Sequence, residues 1–165
     1  MPIRAECSDD TNAIRLLTEA AFKDAPHTRH TEARIVEALR AAGALTVSLV
    51  AVENEVIVGH VAFSPVTISD GTRDWFGLGP VSVTPGRQGE GIGQALIREG
   101  LRRLEAAGAA GCVVLGEPAY YGRFGFTYDP DLVYGEVPAG YFLRLALGGV
   151  PPKGEVTYHA GFDAG

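Results

Sequence analysis

Cysteine is scarce in this chain. Only Cys7 and Cys112 occur among 165 residues, far apart in the sequence, so a disulfide is possible but not indicated. Cys112 sits in the apolar run "CVVL" and is expected as a buried thiol. Excess positive charge is also missing. Fourteen Lys and Arg stand against twenty Asp and Glu, a formal net charge of −6, and no dense basic run appears. That balance disfavours nucleic acid as a partner. No run of 18 or more apolar residues exists, so no membrane-spanning helix is expected. The opening "MPIRAECSDD" lacks the apolar stretch of a secretory signal. The expected location is the cytoplasm. His27, His30, His60 and His159 show no ligand spacing with cysteines or carboxylates, so no metal site is expected.

What remains is an ordinary globular composition, 46% apolar and 21% charged. The length suits one domain over residues 1–165. "PIRAEC" alternates like a first strand. "SDD" offers helix N-caps ahead of Ile14, Leu17 and Ala21, which share a helical face. Pro26 ends that helix. A second begins near Thr31, with Ile35, Val36 and Leu39 as its apolar stripe and Gly43 as its C-cap. "LTVSLVAVE", "VIVGHVAFSPVTI" and "DWFGLGPVSVTP" then read as three strands. A helix over 91–107, with Ile97, Leu101 and Leu104 inward, leads to a buried strand, "CVVLG". "PAYYGRFGF" is a short helix or turn, and "YFLRLAL" and "GEVTY" are closing strands. The fold class is α/β in an α+β layered form. Its central sheet is mixed and mostly antiparallel, with helices on both faces. The helical crossover makes its two flanking strands parallel.

The unusual stretch is "PGRQGEGIGQALIREGLRRL", residues 85–104, where glycines crowd the start of the most regular helix. A helix N-terminus leaves N–H groups unpaired and carries positive partial charge. Glycines before it let a phosphate approach those groups. The pattern is neither a dinucleotide fingerprint nor a Walker loop. An ordinary turn accounts for the loop equally well, but the preceding strand sharpens the reading. Gly79 and Pro80 interrupt it, which predicts a β-bulge and a splay from "CVVL". A splayed edge leaves N–H and C=O groups for an extended amide-bearing ligand. Pyrophosphate at one end and a peptide-like arm at the other describe coenzyme A.

"VSVTPGRQGEGIGQALI" resembles the main cofactor motif of the GNAT superfamily of acetyl-CoA-dependent N-acetyltransferases. "YYGRFGF" resembles that family's later Tyr-x-x-x-Gly-Phe motif, with Tyr121 at the tyrosine. "GHVAFSPV", "LGPVSVTP", "GEPAYYGRFGF" and "VTYHAGF" resemble its YhbS-like branch. The resemblance implies transfer of an acetyl group from acetyl-CoA to a primary amine of a small molecule or peptide. An acyl-CoA-sensing module without catalysis is the alternative. An interaction domain whose glycine loop is only a turn is a third reading. Backbone groups of Val81, Ser82 and Val83 would hold the pantetheine arm. Arg87, Gln88, Gly89, Glu90, Gly91, Ile92, Gly93 and Gln94 would hold the pyrophosphate.

Tyr121 is the candidate acid for the leaving thiolate, and it suits equally an aromatic packed on Phe124 and Phe126. Tyr120 is assigned to packing or the substrate pocket. The base is open. The strand before the glycine loop carries no carboxylate, and the candidates are His60, which suits a satisfied core histidine better, Glu117, which suits a surface carboxylate better, or a water chain. Glu117, Asp129, Asp131 and Glu136 are compatible with a cationic acceptor and equally with a solvated acidic surface. The sequence does not decide between a monomer and a homodimer.

Overall fold

The computed structural model describes residues 1–25 and 30–164. The helix break assigned to Pro26, and His27, lie outside them. Strand β1 (Ile3–Ala5) leads through a single 3-10 turn (Ser8–Asp10) into α1 (Thr11–Phe22). The capping residues of "SDD" therefore form their own turn before the α-helix. The Asp10 carboxylate accepts from the Cys7 N–H at 2.8 Å and from Arg4 Nη1 at 2.7 Å, which fixes that turn. Helix α2 (Glu32–Ala41) follows, then the strands β2 (Val47–Glu53), β3 (Val56–Ile68) and β4 (Trp75–Val83). After α3 (Ile92–Ala106) come β5 (Gly111–Leu115), α4 (Pro118–Tyr121), β6 (Thr127–Tyr128), β7 (Leu132–Val133), β8 (Phe142–Ala146) and β9 (Gly154–Tyr158).

The main sheet runs β1-β2-β3-β4-β5-β8-β6, with β9 paired to the far end of β3 and to β7. The neighbours are antiparallel except β4 with β5 and β7 with β9. The parallel β4–β5 pair is the one joined through α3, as a helical crossover requires. The two-residue strands β6 and β7 are too short to leave a periodic signal.

Helix α3 covers one face. Leu96, Ile97 and Leu104 are fully buried there against Leu49, Val61 and Phe63. Each such side chain contributes about 1.5–3 kcal/mol by leaving water. Two glycines set how close the helix lies. A Cβ at Gly100 would fall 2.2 Å from Phe63 Cε1, and one at Gly59 would fall 2.8 Å from Ile92 and Leu96. On the other face Ile14 of α1 and Val36 of α2 enclose Val50, while Ile35 and Leu39 pack with Ala44. Strand alternation therefore sends Leu49 and Val61 toward α3, and Val50 and His60 toward α1 and α2.

The expected bulge is present. Val61 opposes Val81 but Phe63 opposes Leu78, so β4 carries an extra residue at Gly79, whose φ is +139°. Only glycine adopts that φ without strain. Strands β4 and β5 pair from Trp75–Gly111 to Gly77–Val113 and no further. Beyond Gly77 one edge of β4 faces no strand among the described residues.

Candidate active-site cleft

The free edge of β4 opens into a cleft of ≈ 610 Å³ that also takes in the glycine loop, the start of α3 and the last turn of α1. Gly86, Gly89 and Gly91 hold φ of +88°, +84° and +87°, and nothing lies within 4 Å of where their Cβ atoms would stand. The loop is thus a left-handed backbone surface open to a ligand. Gly91 caps α3, and the first helical bond is Ala95 N–H to Gly91 C=O at 3.0 Å. The amides of Ile92, Gly93 and Gln94 consequently have no partner within the helix and point out of its positive end.

Most of the loop residues singled out from the sequence meet here. Val81 and Val83 line the cleft from β4, and Arg87, Gln88 and Gly89 from the loop. Gly91, Ile92, Gly93 and Gln94 line it from the start of α3. Ser82 points the other way, 1% exposed, into the layer beneath α1. Glu90 lies outside the cleft lining and accepts from Arg87 Nε at 2.8 Å, while Arg87 Nη2 reaches Glu53 Oε2 at 2.7 Å. Arg87 therefore ties the loop to the end of β2.

The two tyrosines of the aromatic motif face different ways. Tyr120 lines the cleft, and its hydroxyl lies 3.4 Å from the position of a Gly93 Cβ. Arg123 stacks 4.6 Å over its ring. Tyr121 turns its ring inward, edge-on to Tyr120 at 5.0 Å and to Phe126 at 6.0 Å. A Cβ at Gly116 would strike it at 2.4 Å. Burial pushes the Tyr121 phenol up to about 12, so it keeps its proton at neutral pH. Its hydroxyl makes no hydrogen bond among the described residues.

Neither candidate base lines the cleft. Glu117 is exposed and caps α4, accepting from the Ala119 N–H at 3.5 Å. His60 is completely buried, with Nε2 2.8 Å from Ser48 Oγ. Burial lowers its pKa to about 4, against the opposing pull of Glu6. The sequence reading missed the contribution of α1. Ala20, Ala21 and Phe22, with Asp24 and Ala25 beyond them, form one wall of the cleft. Two adjacent alanines in the last turn were the available signal, since they let the wall stand back.

Both cysteines are free, Cys7 exposed and Cys112 buried. No group of metal-ligating side chains occurs among the described residues, and no helix there is long and apolar enough to cross a membrane.

Residues 2–128 match the acetyltransferase (GNAT) domain family. The uncharacterized N-acetyltransferase YhbS of Escherichia coli K12 is 39% identical over 127 residues, 76% of this chain and 73% of that protein. A crystal structure of a GNAT family acetyltransferase from Brucella melitensis in complex with acetyl-CoA superposes with a TM-score of 0.87 at 53% identity, covering 98% of this chain and 97% of the other. Escherichia coli YhbS in complex with CoA superposes with a TM-score of 0.88 at 35% identity, over 98% of this chain and 91% of that one. The chain belongs to the GNAT acetyltransferase family.

Proposed function

We propose that the chain transfers an acetyl group from acetyl-CoA to a primary amine of a small molecule or peptide. The observation that carries this reading is one cleft that joins a free strand edge to a helix N-terminus behind a left-handed glycine loop. The amides of Ile92, Gly93 and Gln94 suit a pyrophosphate, being preorganised donors at a positive helix end. The unpaired edge of β4 at Val81 and Val83 suits the amide groups of a pantetheine arm, as an added strand would pair. It also suits the thioester oxygen, which gains charge in the tetrahedral intermediate and is stabilised by fixed N–H donors. Bringing amine and thioester together in the cleft supplies much of the rate. The proteins bound to acetyl-CoA and CoA that resemble this chain support the same ligand.

Tyr121 acts in this reading as the acid that protonates the departing thiolate. Its phenol is neutral at working pH and without a hydrogen-bond partner among the described residues, and its ring stands 5.0 Å from that of the cleft-lining Tyr120. The strands beyond the matched region extend the same sheet, β8 pairing with β5 and β9 with β3, which supports residues 1–165 as one N-acetyltransferase domain. The free cysteines suit a cytoplasmic enzyme. The test is a thiol-release screen of the purified chain with acetyl-CoA and a broad panel of amines and peptides. Amine-dependent thiol release is expected. Acetyl-CoA binding without release from any amine would favour a sensing module instead.

A further inference from the structure

On the face of the sheet away from α3, four aromatic rings stand in a row. Phe162 is edge-on to Tyr158 at 4.9 Å, Tyr158 meets Tyr134 at 4.8 Å, and Tyr134 meets Phe142 at 5.4 Å. Tyr158 pairs in register with Val66 on β3, yet its ring reaches across to β4. It can do so because Gly77 has no side chain: a Cβ there would lie 2.7 Å from Tyr158 Cε2. Phe142, at the other end of the row, is the register partner of Leu115 on β5. Val113 packs in the same cluster as these rings. The row therefore crosses from β9 to β8 beside Gly77 and Val113, the last pair that β4 and β5 form.

That place is the far end of the free edge of β4. The glycine loop lies at one end of the edge, beyond the cleft-lining Val83, and the row lies at the other, beside Gly77. In the acetyl-transfer reading, a pantetheine arm that leaves the loop and runs along β4 stops where the two strands rejoin. Its thioester then lies between Tyr121, whose ring packs at Gly116 on the α3 face, and Tyr158 on the other face. Burial pushes the Tyr158 phenol well above its ordinary value, and the nearby Cys112, Tyr134 and Tyr121 add to the rise, so it stays neutral. Tyr134, Tyr158 and Phe162 are each half-buried, and Leu115 beside Phe142 is 45% exposed. An aromatic surface, open in part to solvent, thus borders the end of the arm's path.

We propose that this row receives the acceptor, and that the acceptor is a primary amine whose body is an aromatic ring or a large aliphatic group without a carboxylate. The inference rests on the acetyl-transfer reading above. The chemistry of the row selects the class. Half-exposed rings gain by being covered, which an apolar body does and a hydrated chain does not. An ammonium on its way in is drawn by the ring faces. It is drawn also by two exposed carboxylates, Glu117 at the end of β5 and Glu136 two residues beyond Tyr134. The row itself carries no carboxylate, so the second amine of a polyamine finds no partner on it. Arg144, the basic residue in register with Val113, is held by Asp129 at 2.9 Å and is not open to a substrate carboxylate. Tyr134 and Tyr158 are thus specificity-determining residues that take no part in the transfer itself.

Two measurements on the full chain test the row. In the thiol-release assay, phenethylamine and isoamylamine should show kcat/KM at least about tenfold above ethylamine, spermidine and phenylalanine. Tyr134→Ala should cut the preference for phenethylamine over ethylamine about tenfold, through KM for phenethylamine, with KM for acetyl-CoA unchanged. Tyr134→Phe, which keeps the ring, should retain it. The preference is a ratio within one variant, so a partly unfolded sample does not alter it. Spermidine or phenylalanine as the better substrate, or a ratio that Tyr134→Ala leaves unmoved, overturns the proposal. The second measurement needs no turnover: saturation-transfer NMR of phenethylamine with the CoA-loaded chain. Transfer to the ring protons of the amine is expected, weakened in Tyr134→Ala. No transfer from the wild type overturns the docking row. If this signal appears while no amine releases thiol, the acetyl-transfer reading fails and the row stands as an amine site.

Discussion

Gly93 and Tyr120 face each other across the cleft, with the tyrosine hydroxyl 3.4 Å from where a Cβ on Gly93 would be. Val83 Cγ2 and Val81 Cγ1 stand at 3.7 and 3.8 Å from the same point. These are ordinary contact distances, so a methyl group fits the protein itself but narrows the passage beside the β4 edge. Alanine also favours a helix over glycine by roughly 0.5–1 kcal/mol. Gly93→Ala should therefore raise the melting temperature and weaken acetyl-CoA at least about tenfold, opposite effects from one atom. Calorimetry alongside thermal unfolding checks this. A Kd that stays put would mean the arm does not pass Gly93.

Tyr121→Phe separates chemistry from packing. The ring contacts with Tyr120, Phe124 and Phe126 survive the change, and the hydroxyl removed has no partner among the described residues. Turnover should fall by roughly 10²–10⁴-fold with acetyl-CoA affinity and melting temperature little changed. Wild-type turnover in this variant would move the acid elsewhere, with the Tyr120 hydroxyl the next group to remove.

His60 links stability to pH. Folded, it titrates near 4, against 6.5 for an ordinary histidine, so between those values the unfolded chain binds more protons. Its contribution is fully present above 6.5, is lost as pH falls through that window, and levels off below about 4. The whole effect is on the order of 3 kcal/mol. Glu6 and Arg40 are the charged groups that face the ring, and they oppose each other. Urea unfolding of wild type and His60→Gln at about pH 7.5 and about pH 5 checks the window, which is where the linkage acts. The wild type should lose more stability than the variant on acidification. Parallel losses would mean that His60 is not buried as a neutral ring.

Gly100→Ala probes packing away from the cleft. Its Cβ would overlap the fully buried Phe63 ring, so helix and strand must separate. A loss of about 1–3 kcal/mol in unfolding free energy is expected, with acetyl-CoA affinity of the folded variant unchanged. Unaltered stability would show that α3 is free to slide on the sheet.

The sequence revealed the elements whose periodicity is long. The strand over 56–68, the parallel crossover through α3 and the bulge at Gly79 all stand where pattern and glycine chemistry put them. The glycine loop stood out in the sequence because glycines crowd the start of a regular helix, and the structure gives Gly86, Gly89 and Gly91 a left-handed φ there. What sequence left hidden was direction. Tyr120 and Tyr121 are adjacent in the chain, and nothing in the string says which ring a short helix turns toward the cleft. His60 reads from the sequence either as a core histidine or as a base on a strand. Only the cover of α1 and α2 and the bond to Ser48 give it an interior environment. Glu117 reads as a carboxylate near the site and serves as a helix cap.

The central claim is that the glycine loop and the start of α3 hold acetyl-CoA, and the most direct measurement is titration calorimetry of acetyl-CoA into wild type and Gly91→Glu. At φ +87° a side chain is strained, yet nothing within 4 Å obstructs it, so the variant should fold with a modest loss of stability. Its carboxylate would stand in the space of the pyrophosphate and repel it. Binding by the wild type and no detectable heat from the folded variant is the predicted result. Equal affinity in both would contradict the account.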